Sequence, residues 1–296
     1  MAERTARWLI AALLLAVPFL LPLILPQHQA LFWTANVFGR AIVYGIIALS
    51  LSFLATYGGF ISLAQMMVAG TAGYAVAILV DGAVPTIVGG LPYAAAVPLG
   101  LAASTLMGLL VGAIAVRTRD IYLLMITLAL AMGVFRFVET NIAWFNGYEG
   151  IRNVVGPQLF GYDFRNAYVF YYVALAVAAL LYAGVLYIVR TPFGLVLQGI
   201  RDNARRVAAL GYSVALHRIL AFGVAGFIAG AGGVLATIYN IGISPGSIGL
   251  GATVNILIMS VIGGLGHPVG AFIGSFIFVA FDTFAANIYD RDRFNT

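Results

Sequence analysis

The chain contains neither cysteine nor lysine, and only 8% of its 296 residues are charged. Without cysteine there is no disulfide framework, no thiolate metal site and no cysteine nucleophile. Without lysine there is no G-x-x-x-x-G-K-[ST] phosphate loop, whose lysine reaches the nucleotide phosphates. If ATP drives this protein, another polypeptide binds it. Histidine is scarce as well: His28, His217 and His267 are scattered with no ligand spacing, which leaves a metal site little support. No nucleophile–base constellation is visible, so the chain does not read as an enzyme. The net charge of +5 gathers at the ends of apolar segments instead of forming a nucleic-acid-binding face.

What the chain has in abundance is apolar surface. The apolar fraction is 62%, whereas an ordinary soluble domain carries about a quarter charged residues. Lipid is therefore the expected solvent. In lipid every backbone N–H and C=O must be paired within the protein, which leaves helical bundles or closed barrels. The runs here are long and continuous, unlike the roughly ten-residue alternating segments of a barrel. The expected fold is all-α, a polytopic transmembrane helical bundle forming one domain over residues 1–296.

Nine apolar segments approach the roughly 20 residues needed to cross a hydrocarbon core. The first, Trp8–Leu25, follows Arg4 and Arg7 and ends among Pro18, Pro22 and Pro26. No small-x-small cleavage site precedes Gln27, so it reads as a retained, kinked anchor and not a removed signal peptide. The others are Ala41–Thr56, Ile61–Val80, Pro92–Val116, Ile121–Trp144, Ala167–Val189, Ile219–Tyr239, Ala252–Gly264 and Pro268–Ala285. The breakers Gly263-Gly264-Leu265-Gly266-His267-Pro268 separate the last two, either as a tight surface turn or as an interrupted helix.

Arginine placement sets the expected orientation. Between Arg190 and Arg218 five arginines face one carboxylate, Asp202, whereas Arg152 and Arg165 in the Phe145–Asn166 loop are balanced by Glu149 and Asp163. The positive-inside rule then places the N-terminus and the 190–218 segment in the cytoplasm and the Phe145–Asn166 loop outside. Counting crossings from Arg4 and Arg7 gives the same answer.

Polar residues within spans are costly in lipid and turn toward the bundle or a cavity. Arg136 and Glu139, three apart, can pair on one helical face. Asp282 lies near the end of its span, within reach of water. Gln65, Thr127, Asn141 and Asn255 are candidates to line a translocation path, or equally to bond a neighbouring helix. Gly108/Gly112, Gly226/Gly230 and Gly266/Gly270/Gly274 recur four apart, a spacing that lets membrane helices approach closely.

The 190–218 segment carries the most information. Thr191 reads as an N-cap with Pro192 at the first helical position. Phe193, Val196, Leu197 and Ile200 follow at helical spacing, with Gln198, Arg201, Asp202 and Arg205 on the other side. Asp202 or Asn203 can cap a second short helix, Ala204–Leu210, which Gly211 stops. Two amphipathic pieces of this kind can lie on anionic headgroups or dock a cytoplasmic partner; the residues alone leave both open.

Here the sequence resembles a known family. Thr191-Pro192-Phe193-Gly194 and Gly199 through Tyr212 (GIRDNARRVAALGY) are similar to the coupling loop of branched-chain amino-acid ABC permeases, approximately S-P-F-G-R-x-L-x-A-I-R-E-N-E-x-R-A-x-A-L-G. Ser62-Leu63-Ala64-Gln65 with Gly70, Gly73 and Tyr74 resembles the family's S-L-G-H/Q-A-x-F-x-G-I-G-A-Y. Arg117 to Tyr122 with Thr127-Leu128-Ala129 resembles its R-x-x-G-I-Y-F-x-x-x-T-L-A. Gly263-Gly264-Leu265-Gly266 with Pro268 and Gly270 resembles its L-G-G-x-G-x-x-x-G-P-x-x-G-A. The likeness runs from about Tyr44 onward and favours the LivM-type half over the LivH-type half. Ala64 and Met66-Met67 depart from the pattern, and the external T-G-G-x-x-G-L element appears as Phe145 to Ile151. Amide, urea and other amino-acid importers resemble the same family, so the substrate stays open.

The resemblance implies an importer subunit in the bacterial inner membrane with no cofactor of its own. Its implied partners are a LivH-type second permease, two cytoplasmic ATPases that bind ATP and Mg, an external substrate-binding protein and membrane lipid. It implies ATPase coupling through Thr191, Pro192, Phe193, Gly194, Arg201, Asp202, Asn203, Arg205, Arg206 and Gly211. The rival reading from the residues is a secondary transporter, which needs intramembrane ionisable groups and often an internal repeat. Nine spans from a cytoplasmic N-terminus end outside, whereas the family resembles an even-spanned bundle. The expectation is therefore a tenth helix beyond Thr296 in the native chain, with Asp290 to Arg293 as the turn before it. A re-entrant pair within Ala252–Ala285 is the alternative.

Overall fold

A computed structural model describes residues 33–81, 90–118, 120–152, 154, 156–159, 162–164 and 166–293. The expected span Trp8–Leu25, together with His28, Arg119, Arg165 and residues 294–296, lies outside these. The described chain is an all-α bundle. Helix α1 (Arg40–Phe53) is extended at both ends by π-helical turns, Trp33–Gly39 and Leu54–Gly58. It is followed by α2 (Gln65–Asp81), α3 (Tyr93–Ala115), α4 (Asp120–Thr140) and α5 (Ala167–Arg190). Helix α6 (Pro192–Ala209) then leads into α7 (Val214–Tyr239), α8 (Leu250–Gly263) and α9 (Pro268–Arg293).

Among the described residues six helices are long and apolar enough to cross a membrane, while Gln65–Val80 and Leu250–Gly263 are shorter. At about 1.5 Å per residue, α8 spans roughly 21 Å, less than the ~30 Å hydrocarbon core. The expected segments within the described residues are all helical, with shifted ends. The third begins at Gln65 because Ser62 to Ala64 are not helical, and the fifth stops at Thr140, where Asn141 starts a separate one-turn helix, Ile142–Phe145. Helix α9 corrects one expectation: Asp290 to Arg293 form its last turn and not a turn leading out of it.

Helices α1 and α7 sit at the centre: α7 packs on α1, α2 and α3, and α1 packs on α9 and α8. Glycine explains the choice of α7. A Cβ on Gly226 would lie 2.8 Å from Ser104 O and 3.1 Å from the Gly108 Cα, and one on Gly233 would overlap Ala69 O. Missing side chains thus let α3 and α2 reach the α7 backbone, the small-residue packing expected in lipid. Gly270 and Gly274 pack similarly against Gly263 and Met259, so α8 and α9 form a tight hairpin within this chain. Among the described residues there are also four short strands: β1 (Ile151–Arg152), β2 (Gln158–Leu159), β3 (Tyr162–Asp163) and β4 (Gly242–Ile243). β1 pairs antiparallel with β4, Ile151 opposite Ile243, and fastens the loop after α4 to the segment after α7.

Candidate coupling segment and translocation path

Helix α6 forms where its sequence dictates. Thr191 Oγ1 accepts from Gly194 N at 3.5 Å, and Pro192 occupies the first turn, where its missing N–H costs nothing. Gly194, Leu197, Ile200 and Val207 are buried. The helix breaks at Asn203, which has extended backbone angles and whose Oδ1 accepts from Arg206 N at 3.1 Å. Asn203, not Asp202, therefore caps the second piece, and Gly211 at φ +89° ends it. Gln198 turns inward, its Nε2 donating to Val189 O and Gly194 O. Phe193 stacks on His217, and Tyr212 meets the same ring edge-on, which fixes α6 to the first turn of α7.

The charged residues of α6 divide into two groups. Arg201 Nη1 donates to Thr56 O at 2.6 Å, and its Nε pairs with Asp202 at 3.0 Å. Thr56 Oγ1 in turn donates to Leu265 O in the α8–α9 turn. One arginine of α6 is thus linked through Thr56 to the end of α1 and to the α8–α9 hairpin. Gly59, at φ +73°, leaves room for the Arg201 stem, which a Cβ there would overlap. Arg205 and Arg206 are exposed too, but their side chains make no hydrogen bond or ion pair among the described residues, and they stand beside Leu210 at 76% exposure and Tyr212 at 49%. Basic residues beside uncovered apolar ones make a surface suited to a partner.

The four path candidates do not come together. Gln65, the first residue of α2, and Thr127 of α4 are both buried. Gln65 Oε1 accepts from Ser50 Oγ at 2.9 Å, and Thr127 Oγ1 accepts from Leu63 N at 3.1 Å. Inside a bundle an irregular backbone must find such partners. Asn141 caps the one-turn helix after α4 through Trp144 N. Asn255 stands on an exposed face of α8, flanked by Val254, Ile258 and Ile262. Arg136 and Glu139 pair at 2.7 Å, as their spacing predicts. The sequence reading missed the partner of Asp282: Arg40, at 3.0 Å, far away in the chain. Its signal was that each was the one charge within its apolar span, Ala41–Thr56 with its flanking Arg40 and Pro268–Ala285.

A bundle of apolar helices, with one amphipathic helix folded across its end, defines a multi-pass membrane protein of the α-helical class. A sequence model of the family described as "Branched-chain amino acid transport system / permease component" matches residues 33–291, most of the chain, and the chain belongs to that family. Two curated relatives align. A probable branched-chain amino acid transport permease protein LivM of Methanocaldococcus jannaschii is 27% identical over 189 residues, covering 61% of this chain and 54% of that protein. The autoinducer 2 import system permease protein LsrC of Klebsiella pneumoniae is 29% identical over 192 residues, covering 62% and 52%. The matched region thus spans about half the length of these relatives. No solved structure matches the chain at a significant level.

Proposed function

We propose that this chain is a permease subunit of an ABC importer, forming half of a translocation path for amino acids or related small polar solutes. Its partners in this reading are a LivH-type permease, two cytoplasmic ATPases and an external binding protein. ATP and Mg belong to the ATPases, since a chain without lysine has no phosphate loop. The complex sits in the bacterial inner membrane, with α6 cytoplasmic and the β1–β4 end outside. The observation that carries the reading is the division of α6: Arg205 and Arg206 face out for the ATPase, while Arg201 holds Thr56 O. Movement of α6 then pulls on the end of α1 and, through Leu265, on the α8–α9 hairpin, exchanging one packed arrangement for another. A secondary transporter has less support, because Glu139 and Asp282 are each paired with an arginine near a helix end.

The chain should co-purify with an ATPase and a second permease. Combined Arg205→Glu and Arg206→Glu should lower substrate-stimulated ATP hydrolysis at least about tenfold, as lost charge pairs at an interface do, with an unchanged elution profile. Unaltered stimulation in reconstituted complexes would sink the assignment. Orientation is tested separately: Tyr148→Cys, 80% exposed in an otherwise cysteine-free chain, should react with an impermeant thiol reagent on intact spheroplasts.

A further inference from the structure

Helix α8 presents two unlike faces. Thr253, Ile256, Met259 and Ser260 are buried against the bundle, and Ser260 Oγ donates to Ala48 O at 3.4 Å. On the other side Gly251, Val254, Asn255, Ile258, Val261 and Ile262 are exposed, and nothing among the described residues covers them. Their spacing, three and four apart, is that of a seam between two helices.

Three features make this face unsuited to lipid. The first is length: a lipid-facing helix of about 21 Å must thin a ~30 Å hydrocarbon core around it. The second is the backbone just before it, where Ser244 and Gly246, beside and within the turn Pro245–Ile248, are exposed. Irregular backbone at membrane depth is tolerated only against protein or a water-filled cavity. The third is Asn255, whose amide makes no hydrogen bond among the described residues, whereas Gln65, Gln198 and Asn240 each bond a neighbour. Depth gives that amide its weight. Leu265, just past α8, accepts from Thr56, whose carbonyl accepts from Arg201 of the cytoplasmic helix α6. From Gly263 back to Asn255 the helix rises roughly 12 Å, close to the middle of the core. An amide there meets hydrocarbon and not water unless another helix supplies a polar group.

We propose that this face of α8 is the seam against the second permease subunit, whose facing helix sets a hydroxyl or amide side chain opposite Asn255. The inference rests on the importer reading. In that reading the ATPases are cytoplasmic and the binding protein is external, so only the second permease brings further helices to this depth. Gly251 lets the partner's backbone come close at one end of the stripe, and Val254, Ile258 and Ile262 pack around the polar pair. A single polar residue in an apolar seam fixes which helix pairs and in what register. Asn255 is then a residue of the subunit contact, and the α8–α9 hairpin that Arg201 reaches through Thr56 is also the element that meets the other half.

The test uses the co-purified complex in nanodiscs and a photoreactive benzoylphenylalanine in place of Ile258, with Leu180 on the exposed face of α5 as the control position. Ultraviolet light should join position 258 to the second permease, identified by mass, at least about tenfold more than position 180. An adduct with lipid alone, with a second copy of this chain or with another part of the same chain would overturn the proposal, as would equal yields at the two positions. Asn255→Leu, which removes the amide and keeps the bulk, should lower retention of the second permease on this chain in mild detergent about threefold. Asn255→Gln should keep most of it. Unchanged retention in Asn255→Leu would count against the seam, and so would rapid reaction of Asn255→Cys with an impermeant thiol reagent, which would put water on this face. Co-purification of the second permease decides the importer reading beforehand, so a failure here concerns only the face.

Discussion

Helices α7 and α5 are equally apolar and of similar length, yet 67% of one span is buried in the protein and only 22% of the other. Hydropathy cannot separate them, because lipid tails accept an apolar side chain as readily as a protein core does. The difference lies in side-chain size. Along α7, Gly223, Gly226, Gly230, Gly232 and Gly233 all meet neighbouring atoms at distances that leave no room for a Cβ, whereas Gly184 of α5 has nothing within 4 Å. A central membrane helix is marked by what it omits. Its neighbours then pack on backbone, so contact area arises without any gain from leaving water.

The sharpest way to break this comparison is to give both helices the same substitution. Gly233→Val should cost about 3 kcal/mol or more, since overpacking against Ala69 O cannot be relieved by turning a flexible side chain. Gly184→Val on α5 should stay within about 0.5 kcal/mol, as surface changes do. Thermal unfolding in detergent, followed by size-exclusion chromatography, reads both. If the two variants melt alike, close packing does not hold α7 at the centre.

Most helix positions were legible in the sequence, and the reasons are local. Pro92 and Asn166 stand where helices begin, Thr191-Pro192 where one ends and the next begins, and Gly264 where one ends, while the capping chemistry of Thr191 and Asn203 marks both pieces of α6. Contacts across the chain were not legible. Nothing in the run around Arg40 points to Asp282, and nothing in the Phe145–Asn166 loop announces its pairing with Gly242 and Ile243. The non-helical stretch from Ser62 to Ala64 was hidden because its composition is as apolar as a helix. What keeps it open is a hydroxyl on another helix, Thr127.

That hydroxyl supplies a second, smaller test, of a polar link in a bundle otherwise held by packing. Thr127→Val preserves shape and removes the acceptor of Leu63 N, leaving a half-buried N–H unpaired at a cost of about 1 kcal/mol. Thr127→Ser keeps the oxygen and should recover most of the loss. If serine fails to rescue, the methyl group's packing and not the hydrogen bond holds the segment before α2.

The smallest effect is expected at the periphery, where Arg40 joins α1 to α9 through Asp282 at 3.0 Å. Their side chains are 37% and 48% exposed, so water competes for both charges, and pairs of this kind contribute about 0–1 kcal/mol. Arg40 also lies over the Tyr44 ring, 5.7 Å from its centroid, a contact that Asp282 does not share. Arg40→Met should therefore cost slightly more than Asp282→Asn, and the double variant should show a coupling energy below about 1 kcal/mol that shrinks as salt is raised. Tryptophan-monitored unfolding in nanodiscs at two salt concentrations gives the cycle. A coupling above about 2 kcal/mol, insensitive to salt, would mean that water does not reach the pair. It would mean that α9, of whose span 33% is buried within this chain, is covered there by something other than water.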